Sequence, residues 1–167
     1  WMQPKDIYES MCLGTNVVFA RAFEIVEEMA DELGVEEDSM FDGMDETIKN
    51  SINKNLWLPE QGYYSGYLYG GIYPIQSRAT DALGQSLSII FDVATDEMAH
   101  SVISRTPVVP FGTPSVYPQM PDIKPYHNDA VWPFVQSYWN LAAREVENID
   151  AFNAGFGALC RAAALFG

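Results

Sequence analysis

Two kinds of helical stretch alternate along this sequence, and that alternation limits what it can fold into. One kind is apolar on almost every face; the other is apolar on only one. The first stretch, "IYESMCLGTNVVFARAF", lies in a helix predicted over Asp6–Leu33, with Pro4 ahead of it and Gly34 behind it as start and stop signals. A helix apolar all round is expected to be buried all round, so only its last turns, "EEMADELG", must be wet. The next predicted helix, Glu37–Leu56, is of the second kind. Met40, Met44, Ile48, Ile52 and Leu56 recur at four-residue spacing and form one stripe, while Asp45, Glu46, Lys49, Asn53 and Lys54 occupy the other faces. It should lie on something as an outer helix. Further helices are predicted over Ala79–Ala94, Asp96–Ser104, Ala130–Val146 and Asp150–Phe166. Pro133 sits in a first turn, where proline is tolerated. The last helix carries small residues (Ala154, Gly155, Ala158, Ala162) that permit close helix–helix approach. The pattern predicts an all-α fold of stacked helical hairpins with an inner and an outer layer, and no sequence repeat underlies it.

Two long irregular segments separate the helices. "WLPEQGYYSGYLYGGIYPIQSR" is rich in tyrosine and glycine and could form a short hairpin; "TPVVPFGTPSVYPQMPDIKPYHND" carries proline throughout and should be a rigid, ordered loop. In a layered hairpin fold the loops that lead into inner helices gather at one end. Three such entrances, "WMQPKDIYE", "YLYGGIYPIQSRATDALGQ" and "YPQMPDIKPYHNDAVWPF", each combine an aromatic ring, a proline, and a carboxylate or amide. Planar polar groups suit sugar hydroxyls, and rings suit the C–H faces of sugars. Each residue also has a plainer role. Asp129 could cap the following helix, and His127 could brace a turn. Trp132 and Trp139 could pack in the core. Arg78 could pair with Asp81. The convergence of all three entrances favours a shared site.

Composition narrows the partners. With 48% hydrophobic residues, the 167-residue chain can bury one sizeable core. A net charge of −14, from 23 acidic against 9 basic residues, argues against nucleic acid and anionic membrane surfaces, because both need a basic face. It is compatible with a neutral carbohydrate. His100 and His127 have no second histidine at ligand spacing, so no metal is expected, and no nucleotide or cofactor motif is present. Cys12 and Cys160 fall in helical patterns and are expected to be buried thiols. A start at Trp1 suggests a chain cut from a longer parent, with the rest of that parent as its partner. The absence of a leader then leaves periplasmic, secreted and cytoplasmic locations all open.

"YHNDAVWPF" resembles the "YHNGxVWP" signature of six-hairpin, (α/α)6-toroid glycosidases, in the branch of glycogen-debranching-like, trehalase-like and α-glucosidase-like enzymes. "NKNLWLPEQGYYSGYLYG" and "RATDALGQSLSIIFDVA" are similar to that family's order of helices and loops. The resemblance implies about half a toroid, belonging to a glycoside hydrolase that inverts with one carboxylic acid and one carboxylate base. It further implies that the acid lies just before the helix begun by Asp6 and the base after the helix ending at Phe166. The chain would then hold substrate-binding wall rather than the catalytic pair. Tyr126, His127, Asn128 and Trp132 match the signature and would line the pocket. Gln119, Arg78 and Asp81 would face the same mouth. Asp129 stands where the signature commonly has glycine; with Asp6 it is the in-chain candidate for a catalytic carboxylate. The alternative reading is a non-catalytic all-α binding module for a glycan or a protein.

Overall fold

A computed structural model of the chain describes residues 10–35 and 41–166. Within them, six helices carry most of the structure: α1 (Leu13–Leu33), α2 (Met44–Leu56), α3 (Ala82–Ile90), α4 (Asp96–Arg105), α5 (Pro133–Glu145) and α6 (Ile149–Phe166). Seven strands of two or three residues qualify the all-α expectation: β1 (Ser10–Cys12), β2 (Trp57–Leu58), β3 (Tyr63–Tyr64), β4 (Tyr67–Tyr69), β5 (Ile75–Gln76), β6 (Thr80–Asp81) and β7 (Val116–Tyr117). The helices pair as three hairpins. α1 packs on α2, α3 on α4, and α5 on α6, while α3 stands between α1 and α5 in an inner row.

Gly34 ends α1 as the sequence suggests, in left-handed geometry at φ 62°, where its N–H reaches the Asp31 carbonyl. The tyrosine-rich segment does fold into hairpins. β2 pairs antiparallel with β3, and β4 with β5. Ile52 and Leu56 of the predicted α2 stripe are buried, and Ile48 packs against them. The core also takes in Leu13, Val17, Tyr64, Val102 and Trp139, so Trp139 is a packing residue.

Several expectations are corrected. The first helix begins at Leu13; Ser10–Cys12 instead pair as a strand with Tyr67–Tyr69, a partner more than fifty residues away that local pattern cannot reveal. Residues 1–9, Asp6 among them, lie outside the described residues, as does Met40. α1 is not buried all round, because Val18, Phe19, Ile25, Val26 and Met29 are exposed along one side. The helix that is buried almost all round is α3, in the middle of the inner row. Asp45, expected on the wet face of α2, is buried and lies 3.5 Å from the Lys49 ammonium one turn on. Cys12 is half-buried and Cys160 exposed, both as free thiols.

A structural repeat organises the ends of the inner helices. The first N–H of α1, at Leu13, donates to the Gly66 carbonyl (3.0 Å), and that of α3, at Ala82, donates to Ser115 (3.2 Å). The same loop residues donate onward. Gly66 N–H reaches the carbonyl of Ala79, three residues before α3, and Ser115 N–H that of Ala130, three residues before α5, each at 2.8 Å. One turn into these helices, a buried glutamine holds the loop again. The Gln85 amide accepts from Tyr64 N–H (3.0 Å) and donates to the Tyr64 carbonyl (2.8 Å) and to Thr80 Oγ1 (2.6 Å). The Gln136 amide accepts from Thr113 N–H (2.7 Å) and donates to Asn140 Oδ1 (3.0 Å). Buried loop backbone must find partners somewhere, and these amides supply them. Gln85→Ala is therefore expected to cost about 3 kcal/mol in chemical denaturation, because it strands buried groups rather than merely removing a contact; a loss below about 1 kcal/mol would contradict this role.

Candidate functional site

The ties just described gather the starts of α1, α3 and α5 at one rim. Cys12, Asp81 and Trp132 occupy the same place in the three inner helices, each the residue immediately before the first turn. The rim is continuous. β6 pairs with β7 (Thr80↔Tyr117), which sets the segment after Arg78 beside the one leading to Gln119. Next to Gln119, Met120 N–H donates to Asn128 Oδ1 at 2.8 Å.

At the α5 entrance, Tyr126, His127 and Trp132 form an aromatic cluster. The imidazole of His127 stacks on the Trp132 indole with centroids 5.1 Å apart and planes 11° from parallel. Tyr126 meets Trp132 edge-on at 5.1 Å and His127 at 4.7 Å. Phe134 also meets the indole edge-on, at 5.7 Å. Edge-to-face geometry is what ring quadrupoles favour. The indole N–H donates to the Tyr126 carbonyl at 2.8 Å, so it locks the loop back onto the helix. Tyr126 and Phe134 remain exposed at 58% and 49%, which leaves ring surface open to a ligand.

Asn128 belongs to the same signature, but its side chain is buried. Its amide oxygen takes Met120 N–H; its nitrogen donates to the carbonyls of Met120 (3.1 Å) and Ile123 (3.0 Å) and to Asp129 Oδ2 (3.3 Å). Those bonds make it the brace of the loop that displays the rings. Asp129 does not cap α5, which begins four residues later with Trp132 at the cap position and no side-chain cap. Asp129 is instead an exposed residue in left-handed backbone at φ 52°, a conformation glycine takes more readily and aspartate tolerates.

Asp81 is the cap of α3, accepting from Gly84 N–H at 2.6 Å through Oδ1. Arg78 is exposed, and no ion pair forms between it and Asp81 among the described residues. Oδ2 of Asp81 is sealed from solvent and has no hydrogen-bond partner among the described residues. Burial pushes this carboxyl up to about 6, against the opposing pull of the Gly84 N–H. Burial likewise raises the Tyr67 phenol, with Cys12 and Asp81 adding to the effect. Cys12 faces Tyr67 across the β1–β4 pair.

Beside the aromatic cluster a cavity of about 900 Å³ opens between the proline loop and α6. Val109, Phe111, Leu159 and Ala162 line it, with Gln119, Asp129 and Gln136 as its polar residues. The site residues therefore fall into three places: rings Tyr126, His127 and Trp132; cavity-lining residues Gln119 and Asp129; and Asp81 before α3, with Arg78 exposed on the adjoining loop. Sequence reasoning missed Gln85 and Gln136. Two glutamines at the fourth position of helices otherwise apolar or small nearby are the signal that could have found them.

No protein-family model matches the sequence, and no curated protein matches it. Among solved structures, the chain is similar to neutral trehalase Nth1 from Saccharomyces cerevisiae, an (α/α)6-toroid glycosidase, with a TM-score of 0.68 and 14% identity over 87% of this chain and 30% of that one. At that identity the likeness is one of fold, and the chain spans less than a third of the trehalase's length.

A pH prediction follows from Asp81. Its folded-state value lies above the ordinary carboxylate range, so between about pH 4 and 6 the native state holds a proton that the unfolded chain has released. That contribution to stability is full below the window and lost above it, a difference on the order of 3 kcal/mol. Asp81→Asn keeps a capping acceptor and carries no charge. The variant should gain stability relative to the parent as pH rises from 4 to 7 in denaturant titrations. A difference independent of pH would refute the assignment.

Proposed function

We propose that this chain forms part of the saccharide-binding wall of a glycoside hydrolase built on an (α/α)6 toroid. The observation that carries the reading is the aromatic cluster of Tyr126, His127 and Trp132, held at a rim where the starts of successive inner helices converge. The similarity in fold to a trehalase supports it. Tyr126 presents an exposed ring for a sugar face, Gln119 and Asp129 offer polar groups for hydroxyls beside it, and Arg78 offers a guanidinium on the adjoining loop. Trp132 acts mainly through the loop: its N–H is committed to the Tyr126 carbonyl and one face to His127, so it fixes the angle at which the outer rings are offered.

In this reading the chain is one segment of a larger catalytic domain. Hydrolysis proceeds by inversion, with acid and base carboxylates supplied elsewhere in that domain. Asp129 is exposed next to the rings and serves as a hydroxyl ligand rather than the catalytic acid. A carboxyl whose pKa is raised by burial is a candidate proton donor, but the sealed carboxyl of Asp81 has no open path to a bound sugar. The non-catalytic binding module uses the same surface and differs in lacking turnover when joined to its natural flanking sequence.

The test is binding of gluco-oligosaccharides, followed by nuclear magnetic resonance of the rim side chains. Trp132→Ala should weaken binding at least tenfold by freeing the loop, and Tyr126→Ala should do so by removing the ring. Trp132→Phe, which keeps the rings but loses the N–H bond, should fall between. Affinity unchanged in all three variants would rule out a saccharide site here.

A further inference from the structure

The loops leading into α3 and α5 are each gripped at two points, and the grip repeats. Gln85, at the fourth position of α3, accepts from Tyr64 N–H at 3.0 Å, a residue 21 positions earlier in the chain. Gln136, at the fourth position of α5, accepts from Thr113 N–H at 2.7 Å, a residue 23 positions earlier. The outer helix that follows supplies the second point. Ser101 Oγ of α4 donates to the Gly62 carbonyl at 2.8 Å, and Arg161 Nη2 of α6 donates to the Pro110 carbonyl at 2.7 Å. Each loop also turns at a positive-φ glycine within two residues of the held N–H, Gly62 at 76° and Gly112 at 131°. A Cβ on Gly62 would collide with Ser101 and Arg105, and one on Gly112 with Gln136, so glycine is what lets the backbone pass this close.

α1 carries the same pair of groups. Its fourth residue is Asn16, whose Nδ2 donates to the Cys12 carbonyl at 2.7 Å and whose Oδ1 accepts no hydrogen bond among the described residues. Asn16 lines a groove of about 190 Å³ together with Thr47, Ser51 and Asn55 of α2, the outer helix that follows. Ser51 Oγ accepts from Asn55 Nδ2 at 3.1 Å, which leaves its own O–H to donate. The groove therefore continues the row of loop–helix contacts made at α3 and α5, with an amide acceptor on the inner helix and a hydroxyl donor on the outer one. We infer that it is the docking groove for an extended, glycine-containing segment of the parent polypeptide. A backbone N–H of that segment donates to Asn16 Oδ1, and a carbonyl two or three residues earlier accepts from Ser51, as Gly62 and Pro110 accept in their loops. By the spacing of the other two grips, the N–H belongs to a residue 21 to 23 positions before Asn16, ahead of Trp1, with a glycine within two residues of it. The inference rests on the reading of this chain as one segment of a larger domain, and is independent of sugar binding at the rim.

The test uses the full-length parent protein, with hydrogen–deuterium exchange read by mass spectrometry. Asn16→Ala should speed exchange by roughly tenfold or more in the peptide that spans the positions 21 to 23 before Asn16, and leave the Tyr63–Tyr64 loop as protected as before. Asn16→Gln keeps the amide acceptor, with the side chain found at Gln85 and Gln136, and should preserve that protection. Should the alanine variant fail to fold, a disulfide gives a second readout. Ser51→Cys, in a Cys160→Ser background, should form one within a single molecule with a cysteine placed beside the glycine of the segment. Unchanged protection in Asn16→Ala would overturn the inference, as would faster exchange spread equally over the Tyr63–Tyr64 loop. So would a disulfide formed only between molecules, or a parent with fewer than 21 residues ahead of Asn16. Gluco-oligosaccharide binding by the same proteins tests the rim separately: its absence, with the expected exchange pattern, overturns the saccharide reading and upholds the docking groove.

Discussion

Everything at the rim depends on how loop backbone is satisfied where inner helices begin. A helix start leaves N–H groups without partners inside the helix, and a loop lying over it brings more. Here each deficit is met by a neighbouring hairpin. Gly66 and Ser115 each accept from the first N–H of one inner helix and donate to the segment leading into the next. The Gln85 and Gln136 amides then fix those loops from below. The arrangement couples local order to the packing of separate hairpins. It also explains why α3, which has a hairpin on either side, is buried almost completely.

That scaffold determines what the aromatic residues can do. A ring on a free loop would lose much of its binding energy to ordering on contact with a ligand. Tyr126 is held by its own N–H to the Asn128 carbonyl (3.0 Å) and by its carbonyl to the Trp132 indole, while Asn128 ties the preceding turn through Met120 and Ile123. The signature thus divides its labour. The buried amide and the indole N–H hold the loop, and the outer rings meet whatever binds. Gly155 shows how closely the support is fitted, since any side chain there would collide with the amides of Gln136 and Asn140.

Much of the framework was legible in the residues. The four-residue stripe of α2, Gly34 as the stop of α1, Pro133 in the first turn of α5 and the proline loop all depend on interactions within a turn or two, and local chemistry determines them. The misreadings share a different cause. Ser10–Cys12 reads as helix because its alternative, pairing with Tyr67–Tyr69, lies far along the chain. Asn128 reads as a ligand contact because a polar residue in a signature loop looks functional; only the fold shows its amide taken up by Met120, Ile123 and Asp129 of the same loop. Asp129 reads as a cap because it precedes an apolar helical run, yet the helix waits for Pro133.

Local chemistry was enough for the amphipathic stripe of α2, the stop at Gly34, and the gathering of rings and planar polar groups before α5, because period, capping and turn chemistry act over a few residues. Tertiary structure decided which side chains face outward, which brace the loops, and where an apolar hollow opens beside the rings. Those outcomes depend on hydrogen bonds and contacts between residues dozens of positions apart, such as Gln85 with Tyr64 and Gln136 with Thr113, whose pairing no local pattern encodes.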